Sequence, residues 1–245
     1  MTIAVQLWSI REELKADYQG TLRQIAAFGY PAIETARFYL DDDAKKTGEF
    51  CRSIGLSILG AHIDLPLGDD KNKVLDTMAG LGTTTLVFPW IEPEIASSLD
   101  NLKRLCDDLN AAEEICRANG LRLIYHNHHF ELIPLPDGSL PLLRIAEMTV
   151  PAITFEIDIY GAQMVGVDPV ELVRSFPRPV PLLHIKDGSG VRGDPTVPLG
   201  EGVVNLAGLL ALPKPEAYIV EMNTSATNMM EDVRKSYNWL KERTA

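Results

Sequence analysis

Residues 153–187, ITFEIDIYGAQMVGVDPVELVRSFPRPVPLLHIKD, hold one complete unit of the architecture. Two short apolar runs bracket a longer amphipathic stretch, the pattern of strand, helix and strand. Asp168-Pro169 marks where the helix starts. Aspartate accepts hydrogen bonds from the first free amides, and proline is tolerated at the first helical position because its missing N–H would be unbonded there anyway. The second run, from Pro181 to Ile185, is nearly continuous in apolar residues, and so is the run from Thr85 to Phe88. A strand with no polar face is covered on both sides, which parallel sheets flanked by helices require.

The same unit recurs along the chain. Strands are expected over 3–8, 32–36, 57–63, 84–89, 121–127, 153–159, 180–186 and 217–222. Between them amphipathic segments predict helices over 18–28, 44–54, 71–79, 99–119, 140–148, 169–175 and 229–243. Gly29, Gly55 and Gly120 follow helical patterns, where a left-handed cap costs glycine least. Eight strand–helix units without a domain-sized insertion predict a closed (β/α)8 TIM barrel, one domain over residues 1–245. The least helical connection, 187–205, falls after the seventh strand and reads either as a surface loop or as a lid.

A chain of 245 residues with 46% hydrophobic content can bury roughly three quarters of its unfolded surface without disulfides. Cys51, Cys106 and Cys116 are scattered and read as reduced thiols. The first residues begin a strand at once, and no apolar run reaches the length of a membrane span. The expectation is therefore a cytoplasmic protein without membrane attachment. A net charge of −11 repels phosphate backbones and argues against a nucleic-acid partner. The expected partner is a small sugar or polyol. Barrels of this kind associate through their outer helices, so a homo-oligomer is compatible with the pattern.

Chemistry gathers at the strand ends, which in a parallel barrel all open at one mouth. The fifth strand ends YHNHHFE, the sixth FEIDIY, the seventh LLHIKD and the eighth YIVEMN. Alternation places Glu156 and Asp158 on one face of their strand, His184 and Lys186 on one face of the next, and Glu221 with Asn223 on the last. If these faces line the lumen, Asp158, His184 and Glu221 meet near the axis. Unpaired, such buried groups cost several kcal/mol each, and one divalent cation satisfies several together. Mixed imidazole and carboxylate donors suit Mn2+, Zn2+, Co2+ or Fe2+ better than calcium. His126 lies at the depth of a fourth ligand, while His128 and Glu131 lie beyond it. Glu156 reads as a carboxylate supporting the ligands from below. His62, Glu34, Trp8, Trp90, His128 and Lys186 are expected to line the substrate pocket, Lys186 with a structural ion pair as its alternative. Glu201 is read as a turn residue or a ligand contact, and Arg192 as solvated.

At these residues the chain resembles the xylose-isomerase-like sugar phosphate isomerase/epimerase superfamily. The likeness runs through VQLWSIRE at 5–12, GYPAIETA at 29–36, GAHIDL at 60–65 and YHNHHFEL at 125–132. It continues through FEIDIYGAQMVGVDPVELV at 155–173, LLHIKDGSG at 182–190, LGEGVVNL at 199–206 and YIVEMN at 218–223. The resemblance implies a metal held by glutamate, aspartate, histidine and glutamate from four successive strands. By position these are Asp158, His184 and Glu221, with His126 where the first glutamate is expected and Glu131 the nearest acid downstream. In the family the two metal-bound glutamates exchange protons on opposite substrate faces, and here one of them is an imidazole.

The expected reaction is metal-assisted proton transfer next to a carbonyl through an enediolate, an isomerase or epimerase reaction. Glu221 would move the proton, opposed by His126, Glu131 or a water held by His184, with Lys186 neutralising charge on oxygen. The rival enzymatic reading is dehydration of a keto-sugar or keto-inositol by the same site. Phosphodiester cleavage fits the acidic charge poorly. A non-catalytic sugar-binding barrel that keeps the metal site is the reading from outside enzymology.

Overall fold

The computed structural model describes residues 1–36 and 43–244. Strands β1 (Thr2–Gln6), β2 (Ala32–Thr35), β3 (Ser57–His62), β4 (Thr85–Phe88), β5 (Arg122–His126), β6 (Thr154–Asp158) and β7 (Leu182–Ile185) come in chain order. The short pair β8 (Asp187–Gly188) and β9 (Thr196–Val197) follows, then β10 (Ala217–Val220). Every neighbouring pair in the ring β1-β10-β7-β6-β5-β4-β3-β2 is parallel, and the ring closes. This is the expected TIM barrel, and closure leaves no strand edge to protect.

Helices α1 (Arg11–Ala16), α2 (Tyr18–Phe28), α3 (Ala44–Ser53), α4 (Lys71–Leu81), α5 (Pro93–Ala96) and α6 (Leu99–Ala118) come from the first half of the chain. The second half supplies α7 (Pro141–Met148), α8 (Ile159–Met164), α9 (Pro169–Ser175), α10 (Leu206–Leu210) and α11 (Met229–Thr244). Asp168 caps α9 as its sequence predicts, accepting from the amides of Val170 at 2.8 Å and Glu171 at 3.4 Å. Gly29 ends α2 at φ 103°. A side chain there would be strained in that conformation and would meet the ring of Tyr237. Gly55 and Gly120 share the positive φ. Strands are shorter at their mouth ends than expected, because the chain turns as soon as its alternate residues reach the pocket; after β1 it enters a 3-10 turn at Leu7–Ile10.

Alternation along the strands divides the core in two. Val5, Ile33, Leu86, Leu123, Tyr125, Phe155, Ile157, Leu183, Ile185, Tyr218 and Val220 face outward and pack in one cluster with the helices. Ala4, Ala32, Val87, Ile124, Leu182, Ala217 and Ile219 face inward and plug the barrel floor. At roughly 25 cal/mol per Å2 of apolar area removed from water, burial on this scale is the main favourable term. Among the described residues no helix is long and apolar enough to cross a membrane.

Candidate active site

Two residues above the apolar floor, the same inward faces turn polar. Ala4 is followed by Gln6, Ala32 by Glu34, Ile124 by His126, Leu182 by His184 and then Lys186, and Ile219 by Glu221. On β6 both Glu156 and Asp158 point inward. The strand register sets Gln6 beside Glu34, His126 beside Glu156, and Asp158 beside His184. Residues from separate stretches of chain thus occupy two adjacent polar layers.

In the lower layer one oxygen of Glu156 collects three imidazoles: Nδ1 of His126 at 2.9 Å, Nε2 of His62 at 3.0 Å and Nε2 of His184 at 3.1 Å. Oε2 of Glu34 accepts from Gln6 at 2.7 Å and lies 2.7 Å from Nε2 of His184 and 3.0 Å from Nε2 of His62. The rings of His62 and His184 stack at 5.4 Å, with that of His126 tilted against both. Ligand atoms of His62, His126, Glu156 and His184 all lie within 4.8 Å of one another.

The upper layer is an ion-pair network. Nδ1 of His184 meets Oε2 of Glu221 at 2.5 Å. Lys186 Nζ donates to Asp158 at 2.9 Å and lies 3.0 Å from Glu221. The other oxygen of Asp158 accepts from the amides of Tyr160 at 2.9 Å and Gly161 at 3.1 Å, capping α8. Asn127 holds the amide of Asp158 at 3.2 Å. Glu221 is 8% exposed whereas Glu34, Glu156 and His184 are wholly buried, so Glu221 is the carboxylate nearest the opening.

These contacts set the protonation states. Burial works to lower the pKa of His62, but Glu34 and Glu156 overcome it and raise it to about 9. Burial likewise opposes charge on His184, and Glu156 and Glu221 lift its pKa well above the ordinary value. His126 is lowered by burial and by the neighbouring His184. Burial favours neutral Glu156 and Glu221, yet His184 on the first and Lys186 on the second hold both well below the usual carboxylate range. Lys186 is held charged by Asp158 and Glu221 against the cost of its burial.

The other expected residues lie on the turns and loops beyond the strand ends. Glu131 does not reach the lumen: it accepts from Tyr125 Oη at 3.0 Å and from the His128 amide at 3.0 Å. Tyr125 lies on the outward face of β5, so Glu131 braces the turn, and His126 is the β5 group that reaches the cluster. His128 packs between Trp90 at 4.7 Å, Phe130 at 5.5 Å and His126 at 4.8 Å, and burial keeps its imidazole neutral. Trp90 and Trp8 stand partly exposed, at 42% and 37%, just past β4 and β1. Glu201 and Arg192 are exposed. Gln6 and Asn127, which orient Glu34 and Asp158, do not stand out in the sequence as site residues. The alternation from Ala4 to Gln6 is the signal that could have found the first.

The donor set fits a divalent metal. Glu34 Oε1, Glu156 Oε1 and His126 Nδ1 are buried without a hydrogen-bond partner, and for His126, whose ligand atom lies with those of His62, Glu156 and His184, a cation would remove that cost. His126 Nδ1 is near Glu156 Oε2 but without hydrogen-bond alignment. Glu34, Glu156, Asp158 and Glu221 gather here while Lys186 pairs with only the last two, so the centre needs further positive charge, supplied by protonated imidazoles or by a metal. Imidazole and carboxylate donors suit the transition metals.

A protein-family model described as xylose isomerase-like TIM barrel matches residues 22–243. Among curated proteins no sequence matches the chain. Among solved structures, a sugar phosphate isomerase/epimerase from Parabacteroides distasonis is 24% identical with a TM-score of 0.83, over 98% of this chain and 93% of that one. The probable 3-DHS dehydratase AsbF from Bacillus anthracis is 15% identical with a TM-score of 0.74, over 98% and 99%. The IolI protein with a bound zinc atom is 15% identical with a TM-score of 0.73, over 99% and 98%. At these identities the likeness speaks for the fold, and the family match covers most of the sequence. The chain belongs to the xylose isomerase-like TIM barrel family.

Proposed function

We propose that this protein is a divalent-metal-dependent sugar or polyol isomerase or epimerase that moves a proton next to a carbonyl. The observation that carries the reading is His184, whose two ring nitrogens join the buried carboxylates to the mouth. Nε2 is fixed by Glu34 and Glu156, and Nδ1 points to Glu221. A metal-ligating histidine is held in this way, with its far nitrogen on a carboxylate. His126, Asp158, His184 and Glu221 would hold the cation. When bound, it polarises the substrate carbonyl and the neighbouring hydroxyl and lowers the cost of negative charge on them.

The chain's own residues supply the rest. Glu221, ionised and nearest the opening, takes the proton from the carbon beside the carbonyl, and the C–H pair becomes the enediolate double bond. Lys186 sits beside Glu221 and balances charge developing on oxygen. A second proton, carried in from solvent by His126 as its imidazolium or by a water held by His184, reaches the opposite face for an epimer or the adjacent carbon for an isomer. Trp8 and Trp90 at the rim offer ring faces to the sugar. Glu221→Gln keeps the shape and removes the base, so turnover should fall about 10²–10⁴-fold. Deuterium exchange at the substrate carbon in D2O reads this directly, and near-normal exchange in the variant overturns the assignment.

One observation favours a second reaction at the same site. Where the resemblance implies a glutamate, the barrel presents His126, buried beside His184 with its pKa lowered. A neutral imidazole can take the proton beside the carbonyl as a base and, as the imidazolium so formed, hand it to a departing hydroxyl that leaves as water, which makes dehydration of a keto-sugar or keto-inositol the alternative. Loss of water, seen as a product 18 Da lighter, roughly the mass of one water, distinguishes it from isomerisation.

A further inference from the structure

In TIM barrels that act on phosphorylated substrates, the phosphate sits among the loops after the seventh and eighth barrel strands, on backbone amides and a helix N-terminus. Here the seventh and eighth barrel strands are β7 and β10; the loop after β7 holds such amides, and the loop after β10 holds two hydroxyl donors. Each set is already bound to a carboxylate of the chain.

After β7, the glycine-rich stretch 199–204 turns its amides inward onto Asp187. Oδ2 accepts from Gly200 at 2.9 Å and Gly202 at 3.0 Å, and Oδ1 accepts from Gly188 at 2.9 Å and Val204 at 3.1 Å. Four amides around one anion form the concavity that elsewhere binds phosphate, and Asp187 is only 1% exposed within it. The fit admits nothing larger: a Cβ on Gly202 would run into Asp187 and the backbone of Gly188, and one on Gly200 into Trp239. After β10, the hydroxyls of Ser225 and Thr227 donate to Asp232 at 2.5 Å and 3.0 Å, and Asp232 is itself buried. Of the nearby cations Lys186 and Arg11 are engaged as well, whereas Arg192 in the loop after β7 is exposed. Lys186 serves Asp158 and Glu221, and Arg11 donates to the carbonyls of Trp8 at 2.8 Å and Asn223 at 3.0 Å.

We propose that Asp187 and Asp232 occupy the anion positions of this barrel, so that its substrate is an unphosphorylated sugar or polyol. The inference rests on the proton-transfer reading for its reaction, but its geometry stands apart from the metal centre. A phosphate brought to the loops after β7 and β10 finds these donors already bound to buried carboxylates. Asp187 also acts as a positioning residue, because it ties the loop beyond β9 to the end of β7.

Calorimetric titration of inorganic phosphate into the purified protein, with and without a chelator, tests the anion sites apart from any metal. No chelator-insensitive saturable binding in the millimolar range is expected; such binding overturns the proposal. Asp187→Ser leaves the amides but removes the anion, and should acquire phosphate binding. A folded variant that acquires none overturns the role given to Asp187. The second arm compares solvent deuterium exchange in D-fructose with D-fructose 6-phosphate, and in D-ribulose with D-ribulose 5-phosphate. Exchange in a free sugar should exceed that in its phosphate by at least about 100-fold, the scale of a like-charge clash in a closed site. Equal or faster exchange in the phosphates overturns the proposal. Absence of exchange in all four sinks the proton-transfer reading instead, and the phosphate titration then decides the present proposal alone.

Discussion

His184 shows how much one side chain can organise. Its Nε2 rests on Glu34 at 2.7 Å and its Nδ1 on Glu221 at 2.5 Å, so it couples a wholly buried layer to one that meets the opening. Two ligand sets share it together with His126: Asp158 and Glu221 above, His62 and Glu156 below. Metal content separates them. Under our proposal Asp158→Ala loses bound metal, measured by elemental analysis of the purified variant, while His62→Ala retains most of it; the reverse result moves the ion to the lower layer. Glu131 offers a test by pH. Burial pushes its carboxyl up to about 7 from an ordinary 4.5, against the pull of the His128 amide and the Tyr125 hydroxyl. The folded protein therefore keeps this proton to higher pH than the unfolded chain does. Stability from it is complete below about pH 4.5 and is lost as pH rises through about 7, at a slope of about 1.4 kcal/mol per pH unit between those limits. Glu131→Gln can still accept from the His128 amide and should flatten that slope. Urea denaturation of both proteins at about pH 5 and about pH 8 reads the difference, the alkaline point lying roughly one pH unit beyond the titration.

At the level of elements, the strands follow their apolar runs closely, and the connection after β7 departs from expectation. Read as either a surface loop or a lid, 187–205 contains the β8–β9 pair and is fastened to Asp187 through its glycines. A second tie joins the amide of Thr196 to the carbonyl of Thr224 at 3.1 Å, linking it to the loop after β10. Its composition reads as irregular because glycines supply close approach and not flexibility. Gly202→Ala drives a methyl into Asp187 and the Gly188 backbone. Overpacking of this kind costs about 1–3 kcal/mol. The expected outcome is a lower thermal midpoint and faster protease cleavage within 198–205, with the rest of the barrel uncut.

Across the whole molecule, closure of the ring makes the core one cooperative body. The three cysteines report on it. Cys51, Cys106 and Cys116 are buried, and burial raises their thiols to about 11, 12 and 12. Only the thiolate reacts readily, so a disulfide reagent at neutral pH should label none of them in the native state and all three on unfolding. Rapid native labelling of any one would show that its helix opens locally. Alternation and apolar runs were enough to place eight strands and to set Glu156 with Asp158, and His184 with Lys186, on shared faces near one mouth, because each depends on a period of two along one strand, while the closed ring turned those faces inward. Which of these side chains touch depended on tertiary structure. Tilt and stagger between strands bring His62 and Glu34 to His184 across sequence separations that no local pattern encodes. Glu131, near His126 in sequence, turns instead to Tyr125 on the outside. Distance along a chain fixes direction within a strand, whereas contact between strands is set by how the barrel closes.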